Sequence, residues 1–151
     1  MGSATTHAGE RHALGYAGEV SPRQAWDALA SQPDAILVDV RTPAEWVFSG
    51  LPSLASLHKK TLPISWKLYP SYAVNPQFAA ALEAVCPNKD APVYFLCRTG
   101  GRSLDAAIAM TAQGYRRCYN VTDGFDGPLD GTRHRGTVAG WKASNLPWEQ
   151  E

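Results

Sequence analysis

The chain has 151 residues, 14 Lys+Arg balanced by 14 Asp+Glu, and 44% hydrophobic against 19% charged residues. That is one globular domain with a sizeable core, neither disordered nor a disulfide scaffold, since it holds only three cysteines. The charge balance holds in both halves, 7 basic and 8 acidic residues in Met1–Leu96 and 7 and 6 in Cys97–Glu151. It excludes the basic footprint of a nucleic-acid binder.

Residues 1–15 are small, polar and aperiodic, and are expected to form a flexible leader before a domain over residues 16–151. Met1-Gly2-Ser3-Ala4-Thr5-Thr6 formally fits a myristoylation signal, but a plain flexible start is the simpler reading. No secretory signal and no membrane contact are expected, because apolar runs such as Ala35-Ile36-Leu37-Val38 are far shorter than the ~20 residues of a span. The expected compartment is the cytoplasm.

Tyr16 to Val20 predicts a short strand. Ser21-Pro22-Arg23-Gln24 predicts a helix start, with Ser21 as cap, Pro22 at the first helical position and Gln24 closing a capping box. Ala25, Trp26 and Leu29 form its apolar stripe. Ala35 to Val40 reads as a strand buried on both faces. Thr42-Pro43-Ala44-Glu45 opens a second, short helix through Trp46 and Phe48. Gly50 to Trp66 is expected to hold a short strand near Leu54–Leu57. Asn75-Pro76 opens a third helix, with Phe78, Leu82 and Val85 on one face. Pro92 to Leu96 is a second buried strand, Ser103 to Gln113 a helix stopped by Gly114, and Cys118 to Val121 a further strand. Strands alternating with helices predict an α/β fold with a parallel sheet and helices on both faces.

The segment Cys97-Arg98-Thr99-Gly100-Gly101-Arg102-Ser103 carries the chemistry. A cysteine at the carboxyl end of a buried strand stands where α/β folds place their ligands. Small residues let the backbone curl around the sulfur, and a helix begins beyond it. Successive N–H groups and two arginines then favour the thiolate of Cys97 as a nucleophile toward an anionic substrate. No Lys-Ser/Thr ending suggests a nucleotide loop. Cys86, Cys97 and Cys118 have no zinc-ligand spacing, so neither metal nor cofactor is expected.

Three segments resemble the rhodanese-like sulfurtransferases. They are Leu37-Val38-Asp39-Val40-Arg41-Thr42-Pro43-Ala44-Glu45-Trp46, the Cys97 loop of form Cys-x-x-Gly-x-Arg-Ser, and Gly140-Trp141 with Asn145-Leu146-Pro147-Trp148. The resemblance covers residues 16–148. It implies a rhodanese-like, mostly parallel five-stranded sheet, and a Cys97 persulfide formed from a small sulfur donor such as thiosulfate. The acceptor would be a thiol, cyanide or an acceptor protein. Arg98, Thr99, Gly100, Gly101 and Arg102 would bind the substrate, with Arg98 and Arg102 gripping its sulfonate. Asp39, Arg41 and Ser103 would brace the loop. Related phosphatases enclose five residues between Cys and Arg, and this chain encloses four, which suits one sulfur atom. A sulfur-relay or regulatory module, and more weakly a cysteine phosphatase, are the alternatives.

The chain departs from the family pattern at Gly50–Tyr72, which is long and aromatic, and at the inserted Asp126–Ala139. In the latter, Arg133, His134 and Arg135 are candidates for an anion-attracting lip. His58-Lys59-Lys60 reads as a surface turn, and His7 and His12 have no role. Cys86 and Cys118 read as packing, either of them able in principle to resolve an oxidised Cys97. Trp26, Trp46, Trp66, Trp141 and Trp148 read as core and closure residues.

Overall fold

The computed structural model describes residues 15–150. All of the leader but Gly15, with its myristoylation pattern, His7 and His12, thus lies outside the described residues. A five-stranded, all-parallel sheet has the order β1 (Gly18–Val20), β8 (Cys118–Val121), β7 (Val93–Leu96), β2 (Ile36–Asp39) and β4 (Leu62–Pro63). Among the described residues four helices flank it: α1 (Pro22–Ser31), α2 (Pro43–Ser49), α3 (Phe78–Val85) and α4 (Gly101–Ala112). Two short antiparallel pairs lie outside the sheet, β3 (Leu51–Pro52) with β9 (Trp148–Glu149), and β5 (Lys67–Leu68) with β6 (Ala73–Val74). No helix among the described residues is long and apolar enough to cross a membrane.

The central strand β7 is buried throughout, so alternate residues feed two cores. Val93 and Phe95 pack with Phe78, Leu82, Ala106, Ala107 and Met110 from α3 and α4. Tyr94 and Leu96 pack on the other face with Ala25 and Leu29 of α1 and with Phe125, Trp141 and Leu146. The α1 capping box forms as expected: the Gln24 amide donates to Ser21 Oγ, and the Ser21 amide donates to Gln24 Oε1.

Four expectations are corrected. Leu54–Leu57 holds no strand; Ala55–Leu57 is a 3-10 turn, and the fifth sheet strand is Leu62–Pro63. Two residues ending in proline carry no strand signature, and proline, lacking an N–H, suits this edge. The third helix starts at Phe78, because Asn75 accepts the Phe78 and Gln77 amides in a turn before it, and Val85 faces solvent. Trp148 is no core residue. It is exposed, with the Lys142 ammonium 4.2 Å from its ring centroid. Lys59 also does more than occupy a surface turn, since its ammonium donates to the carbonyls of Gln32 and Ala35.

Candidate active site

Cys97 directly follows β7, and α4 begins four residues later. Gly100 has φ 113°, a left-handed conformation that turns the chain back over the sulfur. Cys97 Sγ accepts the Gly100 amide at 3.0 Å and contacts Ser103 Oγ at 3.2 Å. The amides of Arg98, Thr99, Gly101 and Arg102 make no hydrogen bond to Sγ among the described residues. Cys97 is 1% exposed.

The loop is backed from the segment after β8. Phe125 donates its amide to the Cys97 carbonyl at 2.8 Å, and the amides of Asp126 and Gly127 donate to the Arg98 carbonyl. Gly124 has φ 62°, and a Cβ there would lie 2.4 Å from the Cys97 carbonyl oxygen. Only glycine fits so close an approach.

The two loop arginines differ. Arg102 places Nη1 2.7 Å from Glu45 Oε1 and Nη2 2.8 Å from Glu45 Oε2, a bidentate pair that ties α4 to α2. Arg98 is half-exposed, with its Nε 3.9 Å from an Asp126 carboxylate oxygen. A free anion therefore finds Arg98 more accessible than Arg102. Burial pushes the Glu45 carboxyl up, but hydrogen bonds and charge from Arg102, with help from Thr42, outweigh it and hold it down at about 2. Its contribution to stability is fully present above the ordinary carboxylate value and is lost as pH falls toward about 2. Glu45→Gln is expected to be less stable than wild type at pH 7. The difference should narrow between pH 4.5 and 2 in urea titrations at stepped pH.

Asp39 and Arg41 make no hydrogen bond to Cys97 among the described residues. They form a fully buried bidentate pair, and the Arg41 guanidinium lies 4.3 Å from the Phe125 ring centroid. They reach the loop through Phe125. Arg133, His134 and Arg135 belong to a loop organised around Asp130 and do not line the cleft that Arg98 and Arg102 line.

Asn120 and Glu19 are site residues that the linear pattern did not reveal. Asn120 Oδ1 accepts the Ser103 hydroxyl, and its amide nitrogen donates to the Glu19 carboxylate and the Gly100 carbonyl. Tyr16 in turn donates its hydroxyl to Glu19. The available signal was a polar residue inside the apolar strand Cys118-Tyr119-Asn120-Val121. Asn120 fixes the serine hydroxyl that faces the sulfur.

A cleft of about 510 Å³ opens outside the loop. Its lining includes Arg98 and Arg102 of the loop, Phe48 and Ser49 of α2, and Lys67 and Tyr72 of the β5–β6 hairpin. No group of three or more His, Cys, Asp or Glu able to hold a metal occurs among the described residues. All three cysteines are free.

A family model described as the STR4 middle domain matches residues 17–151. An uncharacterised protein of Rickettsia conorii is 40% identical over 126 residues, 83% of this chain and 92% of its own length. A sulfurtransferase of Allochromatium vinosum is 28% identical over 129 residues, covering 85% of this chain and 92% of that protein. The crystal structure of Rv0390 from M. tuberculosis superposes with a TM-score of 0.81 at 45% identity, over 90% of this chain and 99% of that one.

Proposed function

Since the chain belongs to the STR4 middle-domain family and has a rhodanese-like fold, we propose that it is a sulfurtransferase working through a Cys97 persulfide. The carrying observation is the position of Sγ, held by the Gly100 amide and facing Ser103 inside a four-residue loop. The named sulfurtransferase among its relatives supports the same reading.

The Cys97 thiolate attacks the outer sulfur of thiosulfate. A Cys97–sulfur bond forms, the donor's S–S bond breaks, and sulfite leaves with that bond's electron pair. The free amides of Thr99, Gly101 and Arg102 are the donors for the new terminal sulfur's charge. Arg98 holds the sulfonate, while Arg102 fixes the loop against Glu45 and adds its field. A second thiolate, or cyanide, then attacks the outer sulfur and returns Cys97 as thiolate. Burial of Cys97 shields the intermediate from bulk thiols. Three free thiols suit a reducing cytoplasm.

Intact-mass measurement after thiosulfate treatment tests this. The expected result is the gain of one sulfur atom, removed by reductant, together with thiocyanate formation from added cyanide. An unmodified protein with no turnover would refute it. Cys97-dependent hydrolysis of an aryl phosphate would instead favour phosphatase chemistry.

A further inference from the structure

Asp126 opens the inserted segment by which this chain departs from the family pattern, and its backbone is tied to the Cys97 loop. Its amide donates to the Arg98 carbonyl at 3.1 Å, and its own carbonyl accepts the Gly136 amide at 2.7 Å. The side chain is placed differently from the backbone. Asp126 is only 7% exposed, and a carboxylate so covered is ordinarily hydrogen-bonded. Here its oxygens make no hydrogen bond among the described residues. They lie instead between two cations, 3.9 Å from Arg98 Nε and 3.6 Å from Lys142 Nζ.

These distances are beyond hydrogen-bond reach, so Asp126 does not hold the Arg98 guanidinium in one orientation. What it supplies is charge. Arg98, Asp126 and Lys142 together carry one net positive charge, where the two cations alone would carry two. Arg102 is matched separately by Glu45. Arg98 lines the cleft and Asp126 does not. The carboxylate therefore stands behind Arg98 and acts on an anion in the cleft without touching it.

We propose that Asp126 sets the charge preference of this chain for its sulfur donor. Coulomb energy scales with the product of the charges, so offsetting Arg98 weakens the attraction for a dianion more than for a monoanion. The site is thereby biased away from thiosulfate and toward singly charged sulfane donors such as thiosulfonates. The inference rests on the sulfurtransferase reading, in which Arg98 holds the donor, and adds a specificity residue that lies outside the Cys97 loop.

The test measures thiocyanate formation by the full chain from thiosulfate and from methanethiosulfonate, a monoanion that also carries a transferable outer sulfur. The quantity read is kcat/KM for each donor. Asp126→Asn keeps the shape of the side chain and both backbone hydrogen bonds. It is expected to raise kcat/KM about fivefold for thiosulfate and about twofold for methanethiosulfonate, with the gain shrinking as salt is raised. Asp126→Ala should act in the same direction, which separates the lost charge from the new amide. Lys142→Met keeps the carbon stem but leaves Asp126 to Arg98 alone, so it should lower kcat/KM, again more for thiosulfate than for methanethiosulfonate. Damage to packing would instead lower both donors alike in every variant. Asp126 variants that leave thiosulfate unimproved, or that change both donors by the same factor, would overturn the proposal. A wild-type chain that gains no sulfur from thiosulfate by intact mass would reject the sulfurtransferase reading, and the donor preference with it.

Discussion

Cys97→Ser is expected to abolish the thiosulfate adduct and to lower thiocyanate formation at least about 10⁴-fold, as removal of a nucleophile does elsewhere. Serine keeps the size of the side chain and an acceptor for the Gly100 amide, so the loop should keep its shape. What disappears is the sulfur nucleophile, which a serine hydroxyl cannot replace. The two other cysteines provide the contrast. Burial pushes the Cys118 thiol up to about 12, and burial also raises that of Cys86. Both stay protonated and inert at neutral pH. Cys86→Ser and Cys118→Ala should therefore retain the adduct and the turnover, apart from a modest stability loss at the fully buried Cys118. An adduct that survives Cys97→Ser, or vanishes with Cys86→Ser, would place the chemistry elsewhere.

The parts of this fold that were legible are those whose signals are local. A β-branched or aromatic run marks β2 and β7, and a capping box marks the start of α1. Small residues between Cys97 and Arg102 mark the cup. Residues 50–75 were opaque because their elements are two-residue strands and a single 3-10 turn, each held by partners distant in sequence. Leu62 joins the sheet beside Val38, and Leu51 is paired with Glu149. Sequence spacing carries no such distances. The same limit applied to the site. Cys97 and its loop could be named from one segment, whereas the chain from Ser103 through Asn120 to Glu19 spans β1, β8 and α4. The contrast between Arg98 and Arg102 was hidden too, since nothing near residue 102 says that Glu45, 57 positions away, occupies its guanidinium.

Breaking the Asp39–Arg41 pair is expected to cost the most stability of any polar substitution near the site. Both side chains are fully buried. Arg41 Nε lies 2.9 Å from Asp39 Oδ1, and Nη2 donates to Asp39 Oδ2 at 2.7 Å and to the Gly50 carbonyl at 2.8 Å. Asp39→Asn leaves a buried guanidinium without its counter-charge, and Arg41→Met leaves a buried carboxylate. Each should destabilise by about 3–5 kcal/mol, read as a lower urea midpoint at unchanged slope. The double variant Asp39→Asn/Arg41→Met should lose far less than the sum, because no uncompensated charge remains, and the double-mutant cycle isolates that coupling. Arg41→Lys should rescue only partly, since an ammonium cannot span both carboxylate oxygens and the Gly50 carbonyl while lying flat on Phe125. Activity should fall with stability in the Arg41 variants. Phe125 loses the group stacked on its ring, and its amide is what holds the Cys97 carbonyl. Single variants within about 1 kcal/mol of wild type, or an additive double variant, would mean that the pair does not carry the stability assigned to it.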